Sequence, residues 1–189
     1  MTTSTAPATL TGTYRIDPAH SRIGFVARHA MVTKVRGSFT EFTGTGIFDV
    51  EEPSRSSLQL TIEVASIDTA NPDRDGHLRS NDFLDLEHYP QITFTSTAVA
   101  PAEPDTYRVS GDLAIKGVTR PVTFDLVYAG SAVDPYGNQR VGFEGSTTIN
   151  RKDWGVSWNA ALEAGGVLVS EKVTLEFDIS AIKDAATAA

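Results

Sequence analysis

The residues of this chain best equipped for chemistry are its histidines and arginines, and their spacing matters more than their number. The four histidines, His20, His29, His77 and His88, are scattered, and the chain has no cysteine. Metal sites need converging ligands at short helical or hairpin spacings, and neither H-x-x-x-H nor H-E-x-x-H occurs. No G-x-S-x-G elbow accompanies the serines, and no Gly-rich turn between strand and helix offers a phosphate cradle. The reading therefore assigns no catalytic residue, no metal and no cofactor. His20 reads as a hydrogen-bonding residue in a bend, whereas His29 with His77 is the pairing that could serve acid–base work. Glu51 and Glu52 read as solvated turn charges, and Asp82 with Asp85 beside Arg79 as a local ion-pair set. Arg79 and Arg151 are the binding candidates because both map to the loop end expected to form the mouth, and guanidinium forks match phosphate oxygens in two-point contacts. His77, Trp154 and Trp158 fall in the same non-periodic segments and complete a cationic and aromatic set.

Those segments interrupt a strong period-two pattern. Leu58, Leu60, Ile62 and Val64 interleave with Ser57, Gln59, Thr61 and Glu63, and Val173, Leu175, Phe177 and Ile179 alternate with Lys172, Thr174, Glu176 and Asp178. Successive strand side chains point to opposite faces, so such runs are half-buried antiparallel strands. The pattern predicts eight strands, at about 13–29 (bent at Asp17-Pro18-Ala19-His20), 37–50, 57–66, 91–99, 106–116, 118–129, 139–150 and 167–180. Pro53, Pro101, Pro104 and Pro135 fall between them, where a missing amide donor does no harm. One short helix is expected, with Asn71 as cap, Pro72 at its first position and Asp73 and Asp75 in its first turn, ending near Asn81.

A sheet with one dry face and no helix long enough to cover it must close on itself. The expected fold is all-β, an eight-stranded antiparallel up-and-down barrel with one short helix in a long loop. It occupies residues 13–183 as one domain, with disordered tails at 1–12 and 184–189. Parity turns Ile23, Phe25, Phe42, Phe48, Ile62 and Phe94 inward. It does the same for Leu113, Phe124, Leu126, Phe143 and Phe177. A barrel of this size is either filled by its own side chains or holds one small ligand, and inward Gly44, Gly46, Gly111 and Gly145 favour a cavity unless they mark bulges. Such a lumen suits a long hydrocarbon: at ~0.8 kcal/mol per methylene, about 20 buried carbons gain of order 15 kcal/mol before ordering costs.

The links 29–36, 67–90 and 151–166 share one end and form the expected mouth, carrying Arg36, Arg74, Arg79, Arg151 and Lys152. An anionic head would sit at Arg79 and Arg151 while the tail passes Phe25, Phe94, Phe124, Phe143 and Phe177. The competing reading has these loops plug the barrel, with the arginines paired to Asp73, Asp75, Asp82, Asp85 and Asp153. A net charge of −8 opposes binding to a nucleic-acid backbone. No apolar run approaches the ~20 residues of a membrane-spanning helix, and the opening MTTSTAPATLTGT lacks the pattern of an export signal, so a cytoplasmic location is expected.

Tyr14-Arg15-Ile16-Asp17-Pro18-Ala19-His20-Ser21, Val35-Arg36-Gly37-Ser38-Phe39, His77-Leu78-Arg79-Ser80-Asn81-Asp82-Phe83, Pro90-Gln91-Ile92-Thr93-Phe94, Lys116-Gly117-Val118-Thr119-Arg120-Pro121-Val122 and Ile149-Asn150-Arg151-Lys152-Asp153-Trp154-Gly155 follow in order. Together they resemble the YceI family of lipid-binding proteins over roughly Tyr14 to Ile182. The resemblance implies an extended lipocalin-like barrel, an elongated apolar pocket for a polyisoprenoid or related amphiphile, and often a homodimer. Many relatives are exported to the periplasm. Trp154 corresponds to an aromatic position common in the family. The resulting expectation is non-catalytic carriage, storage or buffering of a long-chain lipid. Its rivals are an enzyme working at the mouth through His29 or His77, and a plugged barrel acting as an interaction module.

Overall fold

The computed structural model describes residues 6–185. The period-two segments form one sheet whose strands are β1 (Gly12–Ile16), β2 (Arg22–His29), β3 (Thr33–Phe39), β4 (Phe42–Phe48), β5 (Ser57–Glu63), β6 (Ile67–Asp68), β7 (Gln91–Glu103), β8 (Thr106–Ile115), β9 (Val118–Val133), β10 (Gln139–Asn150) and β11 (Lys172–Lys183). The order β1-β4-β5-β7-β8-β9-β10-β11 returns to β1 through the pairs Tyr14↔Lys183, Arg15↔Ile182 and Ile16↔Ala181. This is a closed eight-stranded antiparallel barrel. β2, β3 and β6 continue the sheet beyond that ring: β2 pairs with the first half of β11, β3 with β2, and β6 with the end of β3.

The first stave is one bent strand in two pieces. β1 and β2 both pair with β11, at residues 181–183 and 174–178 respectively, and between them Pro18–His20 form a 3-10 turn. The Asp17 carboxylate holds that turn by accepting from the Ala19 amide at 3.1 Å and bonding His20 Nδ1 at 2.8 Å. It also accepts from Arg140 Nη1 at 2.7 Å, while Arg140 Nε donates to Asp134 at 2.8 Å. One guanidinium therefore ties the bend of the first stave to the β9–β10 turn.

Several boundaries differ from the sequence reading. The expected loop 29–36 is a three-residue hairpin link, Ala30 to Val32, which places Arg36 inside β3 and not on a rim. Pro101 lies within β7, at a register irregularity of the β7–β8 ladder where its missing donor is tolerated. The last strand begins at Lys172 instead of 167. The Val169 amide and carbonyl are taken by the Asn159 side chain, and the Ser170 carbonyl by Arg151, so this stretch meets the end of β2 only through the isolated bridge between His29 and Val169. The helix α1 (Pro72–Arg79) forms as its signals predict, with Asn71 Oδ1 accepting from the Arg74 amide at 3.0 Å.

Residues 6–12, expected as disordered tail, are packed: Ala6 and Leu10 are buried, and the Tyr14 hydroxyl donates to the Leu10 carbonyl at 2.6 Å. Burial, with the neighbouring Tyr128, pushes the Tyr14 phenol up to about 12. Asp184, placed in the expected C-terminal tail, donates its amide to the Thr13 carbonyl at 2.8 Å. The remaining tail residues, 1–5 and 186–189, lie outside the described residues.

The Arg140 clamp makes stability depend on pH. Hydrogen bonds from Arg140 first, then His20, hold the Asp17 carboxyl below its ordinary 3.8, and bonds from Asn138 and then Arg140 do the same for Asp134. A carboxyl depressed in the folded state stabilises it fully above the unfolded value, and that contribution is lost as pH falls through the folded value. The Tm of the native protein should therefore fall as pH drops below about 3.8. Arg140→Met should lower Tm at neutral pH and shrink that acid-limb fall, checked by thermal melts across the acid range.

Candidate functional site

Inside the ring lies a cavity of about 190 Å³, lined by Ile23, Phe48, Ile62, Phe94, Leu113 and Phe124 among the residues singled out by parity. Leu126, Phe143 and Phe177 line it as well. Phe124 links Phe94 and Phe177 at ring separations of 5.4 and 5.1 Å, so three rings run in a row along β7, β9 and β11. At another part of the lumen Phe48 meets Tyr107 and Phe143 edge-on, at 5.4 and 5.2 Å. Polar lining groups are confined to the hydroxyls of Tyr14, Thr45, Ser56, Ser57, Tyr107 and Thr147, and no Asp, Glu, Lys, Arg or His contributes. The exposed lining residues Thr45, Ile47 and Ser57 stand on adjoining rungs of β4 and β5 and mark where the cavity lies nearest solvent.

Sequence reasoning missed Tyr14, Ile16, Val99 and Tyr107 as lining residues. Tyr14 and Ile16 alternate with exposed Thr13 and Arg15, and Tyr107 shares parity with Val109, so the signal was present in shorter form. Of the four inward glycines only Gly46 lines the cavity, and Gly44 and Gly111 do not open the space expected of them. A Cβ on Gly44 would lie 2.4 Å from Ile16 Cδ1, and one on Gly111 would lie 2.4 Å from the Phe94 ring. Larger neighbours already occupy the room those glycines leave. The cavity is thus near the size of the roughly 150 Å³ apolar void that accepts benzene.

Two of the parity-based residues stand elsewhere. Phe25 pairs with Leu175 of β11, but its ring packs against Phe39 at 5.8 Å and over Gly37. Phe42 is buried in the core but does not line the cavity.

The loop end is a plug and not an open cationic mouth. Arg151 is buried, with Nε donating to the Ser170 carbonyl at 2.9 Å, Nη1 to Val156 at 2.7 Å and Nη2 to Val169 at 3.4 Å. The Phe83 ring lies 5.9 Å from its guanidinium carbon, and desolvation lowers the Arg151 pKa. Arg79 donates from Nε to the Ala65 carbonyl at 3.1 Å and from Nη2 to Ile67 at 3.0 Å, fastening α1 to β6. Both guanidinium groups thus bind backbone carbonyls, neither an aspartate nor the lumen. Trp154 is 3% exposed and its indole N–H donates to the Leu113 carbonyl at 2.9 Å. His77 bonds Asp82 at 2.8 Å and sets its ring edge-on to Trp158 at 4.6 Å and Phe83 at 5.0 Å. None of Arg79, Arg151, His77, Trp154 and Trp158 lines the cavity. His29 is exposed and its backbone bridges to Val169, so the structure records no contact between it and His77. Among the described residues no group of three or more His, Cys, Asp or Glu side chains could hold a metal ion.

Comparison with known families places this geometry. The YceI-like domain profile matches residues 14–181, which takes in every stave of the barrel. The chain belongs to the YceI family. A UPF0312 protein of Photorhabdus laumondii is 40% identical over 151 residues, covering 79% of this chain and 78% of the relative. The crystal structure of BcnA from Burkholderia cenocepacia superposes with a TM-score of 0.78 at 29% identity, over 87% of this chain and 98% of that one. A domain of Saccharophagus degradans described as polyisoprenoid binding shares the fold, with a TM-score of 0.68 at 17% identity over 90% and 98% of the two chains.

The YceI-like plug has a testable keystone. Arg151→Lys keeps the charge but cannot reach three carbonyls from one planar group, leaving buried acceptors unsatisfied at about 3 kcal/mol in total. Urea unfolding should show that loss of stability with the barrel's far-ultraviolet spectrum retained.

Proposed function

We propose that this YceI-family barrel binds, without catalysing a reaction, the hydrocarbon part of a long isoprenoid-type lipid, for carriage, storage or buffering. The observation that carries this reading is a lumen lined by apolar side chains and a row of three rings, with no Asp, Glu, Lys, Arg or His. Apolar burial is non-directional and scales with area, so such a wall favours extended hydrocarbon over any short polar substrate. The polyisoprenoid-binding description of the Saccharophagus domain supports the ligand class. Ile23, Phe48, Ile62, Phe94, Leu113, Phe124, Leu126, Phe143 and Phe177 are the contact residues in this reading. Since Arg79 and Arg151 are engaged by backbone carbonyls, the head group lies elsewhere, at the hydroxyls of Thr45 and Ser57. A homodimer, suggested by the family resemblance, forms part of the proposal.

A chain of about 20 carbons exceeds a cavity of about 190 Å³, so binding requires the lumen rings to swing apart. Mass spectrometry of an organic extract of the purified protein should find a reproducible isoprenoid near one per barrel. Leu60→Trp, which fills the lumen from β5, should weaken binding of an added long-chain prenol at least about tenfold while leaving Tm unchanged or raised. No extractable lipid together with no binding of added prenol would sink the reading and favour a plugged barrel.

A further inference from the structure

The β2–β3 hairpin stands outside the barrel ring and breaks two local rules at once. The first concerns charge. In its register Arg28 faces Lys34 and Val26 faces Arg36, so all four share the one face of the two-stranded ribbon. Like charges directly opposite each other on a sheet are destabilising, and sequences usually place a carboxylate there. Here the side chains of Arg28, Lys34 and Arg36 have no ion pair or hydrogen bond among the described residues. The chain as a whole carries 24 acidic against 16 basic residues, which makes an unpaired basic strip more conspicuous.

The second concerns the turn. Ala30 and Met31 are both left-handed, with φ of 49° and 59°, and the Val32 amide donates to the His29 carbonyl at 3.0 Å. Left-handed positions in a hairpin turn favour Asn and Gly, and an L-residue with a long side chain is disfavoured there by roughly 1–2 kcal/mol. The outcome is that Met31 and Val32 project from the tip at 55% and 76% exposure. The turn is braced from behind, because the Ala30 amide donates to the Leu168 carbonyl at 2.7 Å and exposed Val167 lies beside that brace in sequence.

We infer that this hairpin docks the protein on an anionic lipid bilayer, with Arg28, Lys34 and Arg36 against the headgroups and Met31 and Val32 in the acyl boundary. Unpaired cations flanking an apolar tip need a partner that is negative at one depth and apolar just below it. A bilayer supplies both layers in that order, whereas an acidic protein surface supplies the first alone. This one contact neutralises the facing like charges and buries the apolar tip that the turn exposes. The inference does not depend on what the lumen holds.

The test is flotation of the full chain with vesicles of phosphatidylcholine containing a third phosphatidylglycerol, beside vesicles of phosphatidylcholine alone. The native protein should float with the anionic vesicles only, and raised salt should release it. Arg28→Gln, Lys34→Gln and Arg36→Gln together should weaken binding roughly a hundredfold, about fivefold per cation, and raise Tm by removing the like-charge rung Arg28–Lys34. Met31→Ser with Val32→Ser should weaken it about tenfold while the salt dependence persists. Equal partition to both vesicle types, insensitivity to salt, or unchanged binding of the triple variant would overturn the inference. So would a dimer in sedimentation that the triple variant abolishes without any vesicle binding, since the hairpin would then serve a second copy of the chain. The comparison of two vesicle compositions uses the native protein and stands whatever the variants do.

Discussion

Everything in this molecule depends on closing the sheet, and closure depends on the bend at Asp17. A single straight first stave could not pair with β11 along two of its stretches and with β4 and β3 on its other side. Broken into β1 and β2 by the Pro18–His20 turn, it does both. The ring then seals through three rungs between β1 and β11, and the rest of β11 carries β2 outward into the hairpin extension. Arg140 is therefore placed where one side chain can hold a topological requirement, between Asp17 at the bend and Asp134 in the neighbouring turn. Lumen, plug and protruding hairpin are all consequences of that division of the first stave.

The period of the side chains announced the architecture. Alternation in β5 and β11, the turn at Lys116-Gly117 and the capped helix after Asn71 are local signals whose physics is short-ranged, and they are realised at their expected places. Parity also turned the right aromatic rings inward, because a strand side chain has only two faces to choose between. It failed at Phe25, which shares parity with Ile23 and still pairs with Leu175 of β11, but whose ring packs on Phe39 and over bare Gly37 instead of lining the cavity. Leu10 was missed for a different reason: an isolated apolar residue in a Thr- and Ala-rich stretch has no period to reveal that it is buried.

The arginines show the limit more clearly. Aspartates crowd the sequence around Arg79 and Arg151, which made ion pairs or a phosphate site the natural expectations. The partners are instead the carbonyls of Ala65, Ile67, Val156, Val169 and Ser170. Any residue type supplies a backbone carbonyl, so no letter in the sequence marks these positions. The same blindness affected the inward glycines, since what fills the space above Gly44 and Gly111 is the rotamer of Ile16 or Phe94 on the adjacent strand.

The filling of those glycine hollows by side chains of the adjacent strands changes how the barrel's capacity should be understood. A rigid container has a fixed volume, and its guests are graded by fit. Here the Phe94 ring leans on bare backbone at Gly111, a surface with no side chain to interlock with it. Rotation away from that rest would also open the Phe94 contact with Phe124 at 5.4 Å, and the space released would join the cavity. On the proposed lipid-binding reading, the bore would then be set by the occupant, and the smallest residues of the wall would give the barrel its tolerance for guests of different length.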